Sequence, residues 1–138
     1  MTTPNIYQKL QAVQTQIEEL EKSELNKFQN YKYFTEYRVL KLLKPLLKEQ
    51  QLTLTFSDSA EEFLYEKQER DYLVRYRKQA ILTNSEKPNE QIIYHFWALG
   101  ANQDPAKAKG AAETYAVKYF LQKLFLIPTT DNLDPDSK

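Results

Sequence analysis

The sequence predicts an α+β domain in which an antiparallel three-stranded sheet is packed by helices, with further helices at the N-terminus. Three observations carry this. Apolar residues at helical spacing open the chain, extended segments with period-two patterning fill its middle, and a capped, proline-started helix closes it. At 138 residues with 41% apolar content, the chain has enough material for one core. The expected organisation is a single domain over residues 1–130 and an acidic, flexible tail over 131–138.

Ile6, Leu10, Val13, Ile17 and Leu20 follow one another at steps of four, three, four and three, which is one face of a helix. The next residues, Asn26 to Tyr33, are polar, aromatic and basic without a period, and read as a loop. Thr35 is placed to cap a second helix whose inward residues are expected to be Tyr37, Leu40, Leu43, Leu46 and Leu47; Pro45 predicts a kink or restart near Lys44.

Leu52, Leu54 and Phe56 alternate with Thr53, Thr55 and Ser57, a half-buried strand. Residues 58–68 carry two signals at once: Ser59 with Glu62 fits a helix cap, while Phe63 and Tyr65 alternate as in a strand. From Tyr72 to Thr83, Tyr72, Val74, Tyr76, Ala80 and Leu82 share one face and Leu73, Arg75, Arg77, Gln79 and Ile81 the other. Pro88 and Asn89 mark a hairpin connection. The segment from Gln91 to Leu99 is apolar on both faces, which predicts the central strand, with Trp97 and His95 in the core. Asp104 and Pro105 start the last helix, and Pro128 stops it.

Composition narrows the chemistry. The chain has no cysteine, one histidine and two glycines, so disulfides, thiolate chemistry and glycine-rich phosphate loops are excluded. No segment is long and apolar enough for a membrane span or secretory signal, and a cytoplasmic protein is expected. Nineteen basic and nineteen acidic residues cancel overall. Locally they do not: residues 25–50 carry +4, 51–69 carry −4, 70–83 carry +3 and 105–126 carry +3. Folding that gathers the basic blocks would create a cationic face on a neutral molecule. Ordinary solvated faces are the competing reading.

On the last helix, Lys107, Thr114 and Lys118 share a stripe, and Ala106, Ala108, Gly110, Ala111, Ala112 and Ala116 leave little bulk. That half of the helix either presses closely on a sheet or admits a nucleic-acid backbone, and its first amides are a potential phosphate site. Asp131, Asp134 and Asp136 form an acidic cluster that reads as an electrostatic tail rather than a metal site.

Several of these residues resemble a known family. Asn26-Lys27-Phe28-Gln29-Asn30-Tyr31-Lys32-Tyr33, then Leu43-Lys44-Pro45-Leu46-Leu47 and Leu52-Thr53-Leu54, look like the front of the ERF (essential recombination function) single-strand annealing proteins of phages. Gly100, Asp104, Lys107-Ala108, Gly110, Thr114-Tyr115-Ala116, Lys118-Tyr119 and Ile127-Pro128-Thr129 resemble the back. Two positions depart from the pattern: Ala106 stands where an Asp is usual, and Asn132 interrupts an acidic pair.

The resemblance implies a β-β-β-α annealing core, no cofactor and no catalysis. It also implies ATP-independent pairing of complementary single strands by a ring or filament. Single-stranded DNA, further copies of the chain and a single-strand-binding protein are the implied partners. Candidate DNA contacts are Lys27, Lys32, Tyr33, Arg75, Arg77, Lys107, Lys109 and Lys118, with Arg75 and Arg77 expected to join Lys107 and Lys118 along one phosphate path; the alternative is that the arginines pair with acidic neighbours such as Glu62, Glu66 or Glu69. Competing classes are a metal-dependent nuclease using the tail carboxylates, and an adaptor that binds a host protein and no nucleic acid.

Overall fold

In the computed structural model, residues 3–23 and 35–128 are described. They form α1 (Ile6–Ser23), α2 (Glu36–Gln50), β1 (Leu52–Gln68), β2 (Asp71–Asn84), β3 (Gln91–Asn102) and α3 (Pro105–Leu124). The strands make one antiparallel sheet in the order β1-β2-β3. The α+β class follows as expected, but the central strand is β2. The apolar residues on both sides of β3 reflect an edge strand with one face against α3 and one that no described helix covers.

Each helix buries a narrow stripe. In α1, Ile6, Val13 and Ile17 are buried. In α2, Thr35 caps by accepting from the Arg38 amide at 3.2 Å, and Val39, Leu43 and Leu46 face the core. Tyr37 and Leu40, expected inside, are exposed, because the Val39-Leu43-Leu46 spacing turns the helix away from them. No restart occurs at Pro45: the helix runs through it, and the proline lies on the exposed side, where the carbonyl it leaves unpaired can meet water.

The main core joins these stripes to Leu52, Leu82, Val117, Leu121 and Phe125. Phe120 anchors it against the sheet, stacked on Phe96 at 4.3 Å between ring centres and edge-on to Phe56 at 6.1 Å. Each large apolar side chain buried this way contributes roughly 1.5–3 kcal/mol.

A smaller core of Val74, Tyr76, Ala98, Ala108 and Ala112 holds the front of α3 on the sheet. The alanines therefore serve close helix–sheet packing. Gly100 is required there: a Cβ would lie 2.6 Å from the Ala108 carbonyl oxygen and 2.7 Å from the Ala112 nitrogen. At Gly110 a Cβ would meet nothing within 4 Å.

The β2–β3 turn is fastened to α1. Lys9 is 2% exposed, and its Nζ donates to Asn84 Oδ1 and pairs with Glu86 Oε1, each at 2.6 Å. The Ile6 amide donates to Glu90 on the same turn. Charge-assisted hydrogen bonds in this number offset the burial of an ammonium.

Residues 58–68 resolve as strand, since pairing with β2 decides what the local signals left open. Asp58 pairs with Lys78 and Phe63 with Tyr76, so β1 advances five residues while β2 advances two. The bulge reverses the alternation. Phe63 and Tyr65 thus join the helix-covered side of the sheet, stacking on Tyr76 and Tyr72, and Glu62, Leu64 and Glu66 move to the other.

Candidate functional site

No described helix covers the sheet face formed by the odd-numbered residues of β2 and β3. Antiparallel register sets Arg75 opposite Leu99, Arg77 opposite Trp97, and Gln79 opposite His95. Trp97 is 56% exposed, with the Arg75 guanidinium 5.4 Å from the ring centre. The expectation that Trp97 and His95 lie in the core is thus corrected: both project from an edge strand on its open side. The guanidinium lies over the indole, and the exposed ring with its cation makes a platform suited to an aromatic ligand.

Beside this platform the bulge leaves an open pocket of about 250 Å³, lined by Ser57, Asp58, Ser59, Arg77, Lys78, Gln79 and His95. Its hydroxyls, amide, imidazole and guanidinium are groups that hydrogen-bond phosphate and sugar oxygens, and its one carboxylate, Asp58, is paired with Lys78. Arg77 is already engaged there, its Nη1 lying 3.2 Å from Glu62 Oε1. Both groups of the pair remain well exposed, so an incoming anion can compete with the carboxylate. Across this part of the face, Glu62 and Glu66 on β1 flank Arg75 and Arg77 on β2, which in turn flank Trp97 and Leu99 on β3.

A charged cluster on the helix side of the sheet shares Asp58 and Lys78 with the lining of this pocket. Lys78 is 2% exposed, and its Nζ lies 2.6 Å from both Asp58 Oδ1 and Glu113 Oε2. Tyr76 donates its hydroxyl to Glu113 Oε1 at 2.8 Å. Burial pushes the Lys78 ammonium down, but its bonds to Asp58 and Glu113 outweigh this and hold it above the ordinary lysine value. The Tyr76 hydroxyl is pushed far up, first by burial and then by its Glu113 partner. Burial also raises Glu36, on the first turn of α2, assisted by the Glu113 charge and partly offset by Lys78.

The predicted phosphate path does not form. Arg75 and Arg77 lie on the open face, whereas Lys107, Lys109 and Lys118 belong to the helix packed on the other. Lys109 is drawn onto carboxylates, 3.7 Å from Asp58 and 4.0 Å from Glu113, with its Nζ 4.7 Å from the Tyr76 ring centre. Lys118 is 7% exposed, its stem packed and its Nζ near Tyr119, so the stripe with Lys107 and Thr114 is not continuous. The start of α3 is occupied as well, because the Asp104 carboxylate accepts from the Ala106 amide at 2.9 Å. Lys27, Lys32, Tyr31, Tyr33 and the aspartates of the tail lie outside the described residues.

Sequence reasoning missed Trp97 as a member of this face, whereas the alternative that the arginines pair with acidic neighbours such as Glu62 is what Arg77 shows. The pairing of an exposed-type column, Arg75 and Arg77, with a neighbouring apolar column was the available signal, and it needed the strand order to be read. No helix among the described residues is long and apolar enough to cross a membrane.

These features define an α+β protein built on a helix-backed β-β-β-α unit with one open cationic and aromatic face. The chain belongs to the ERF superfamily, whose family model matches residues 6–138, nearly its whole length. Membership places it with phage recombination and annealing proteins. Neither the curated proteins nor the solved structures hold a match to it.

Proposed function

We propose that this protein binds single-stranded DNA and anneals complementary strands without ATP and without catalysing a bond change, working as an assembly of many copies in the host cytoplasm. The observation that carries the reading is the Arg75–Trp97 platform beside Arg77 on the open sheet face. Bases stack on the indole in any sequence, and the guanidiniums hold the backbone. Alternate residues on a strand lie about 6.7 Å apart. Platform and pocket are therefore close enough to serve one base and a neighbouring phosphate.

Annealing requires strands to be held yet released to each other. A single subunit site of one stack and two arginines, one of them shared with Glu62, is weak, and repetition over many subunits supplies the affinity. A single-strand-binding protein is the proposed source of the coated strand on which the assembly loads.

The test uses complementary fluorescent oligonucleotides with magnesium and no nucleotide. Duplex formation at unchanged strand length is the expected result, and shortened strands would transfer the protein to the nuclease class. Binding measured at two salt concentrations should show about 0.7 in log–log slope for each neutralised phosphate. No binding at any salt concentration would leave the adaptor reading in its place.

A further inference from the structure

Two further exposed surfaces among the described residues are complementary, and the first adjoins the strand site. The first is the outer end of the β1–β2 hairpin, where Phe63, Leu64 and Tyr65 on the edge strand β1 are all exposed large apolar side chains, Phe63 and Tyr65 on the helix-covered side and Leu64 on the other. Residues 61–71 carry five acidic and two basic side chains, a net charge of −3.

The second surface is the solvent side of α2. Tyr37 is 70% exposed, and Leu40, Lys41, Lys44 and Lys48 are exposed with it. At 100° per residue these five fall within a sector of about 100°, a basic stripe with an apolar end. Lys41 Nζ lies 5.8 Å from the Tyr37 ring centre, so the stripe offers cation and aromatic surface together.

We infer that the acidic, aromatic outer end of the β1–β2 hairpin of one copy docks on the basic, aromatic α2 stripe of the next. Charge is opposite, each side contributes exposed rings, and the two patches are different parts of one chain. Such a contact is heterologous and repeats head to tail, closing into a ring or continuing as a filament. It also gives the neutral total a role, since each subunit carries both complementary surfaces. The inference rests on the proposed assembly and identifies its joint.

The test is charge reversal read by sedimentation velocity, with and without an oligonucleotide. One full-length variant carries Lys41→Glu and Lys44→Glu, the other Glu61→Lys and Glu66→Lys. The wild-type chain should sediment as a multimer and each variant alone as a single chain. Their equimolar mixture should recover the multimer, because each variant then supplies the charge the other lacks. A single-chain wild type under every condition, variants that still assemble, or a mixture that stays dissociated would overturn the joint. Circular dichroism melting of each variant separates misfolding from dissociation: a variant that fails to melt cooperatively is replaced by Lys41→Gln with Lys44→Gln, or Glu61→Gln with Glu66→Gln, which should weaken assembly at least tenfold. Strand binding is measured in parallel. Assembly without strand binding would keep the joint and reject annealing, and lost strand binding with intact assembly would make the α2 stripe a DNA contact and reject the joint.

Discussion

The Arg75 guanidinium lies 5.4 Å from the centre of the Trp97 ring, two side chains on neighbouring strands that meet on the face no described helix covers. A stack in that position adds little to folding, since both partners keep substantial contact with water. Its value is to hold the indole and the guanidinium together before any ligand arrives.

Trp97→Ala should therefore weaken single-strand binding by about 1–3 kcal/mol, roughly five- to 150-fold, with a shift in unfolding free energy within about 1 kcal/mol. Arg75→Ala should weaken it too, and the double variant should lose less than the sum. Fluorescence anisotropy and urea melts make the comparison; unaltered binding in both single variants would remove the platform from the site.

Glu62 shares Arg77 with any incoming phosphate. Glu62→Gln should tighten strand binding and steepen the salt dependence by up to about 0.7 in log–log slope, as one more cation becomes free to release counterions. Because the pair is well exposed, stability should move by under about 1 kcal/mol.

Gly100 and Gly110 should respond in opposite directions. Gly100→Ala forces a methyl against the backbone of α3 and is expected to cost about 1–3 kcal/mol in denaturant unfolding. Gly110→Ala enters open space in a helix and should add about 0.5–1 kcal/mol.

Lys78 and Tyr76 set an alkaline limit. Both groups titrate higher in the folded protein than in the unfolded chain, so their contribution is complete below the unfolded values near pH 10 and is lost as pH rises through the folded ones. Stability followed between pH 8 and 11 should fall above about pH 10. Lys78→Met should cost about 3 kcal/mol at neutral pH, the low end for breaking a buried pair, because Asp58 and Glu113 keep some contact with water.

The lysines of α3 divide by burial. Lys107→Ala should leave melting unchanged, whereas Lys118→Ala should lower stability by about 1 kcal/mol through its packed stem and its contact with Tyr119. Equal effects from the two would contradict the packing seen here.

Much of the fold was legible in the residues themselves. The inward stripe of α1, the Thr35 and Asp104 caps, the alternation of β2 and the turn before β3 are local patterns, decided by spacing and by the hydrogen-bonding needs of helix ends. Family membership was legible too, because it resides in an ordered set of side chains. What only the tertiary structure decided was which side of the sheet each charge occupies. A strand's alternation says that Arg75 and Arg77 share a face but not which face a helix will cover, and a three-residue bulge in β1 reverses the alternation outright. Lys9, Lys78 and Lys118 look like any surface lysine until partners more than 15 residues away, or the packing of a whole helix, bury them. Periodicity acts over a few residues, whereas the placement of charge on a face depends on strand order and layer, which are set by contacts across the whole chain.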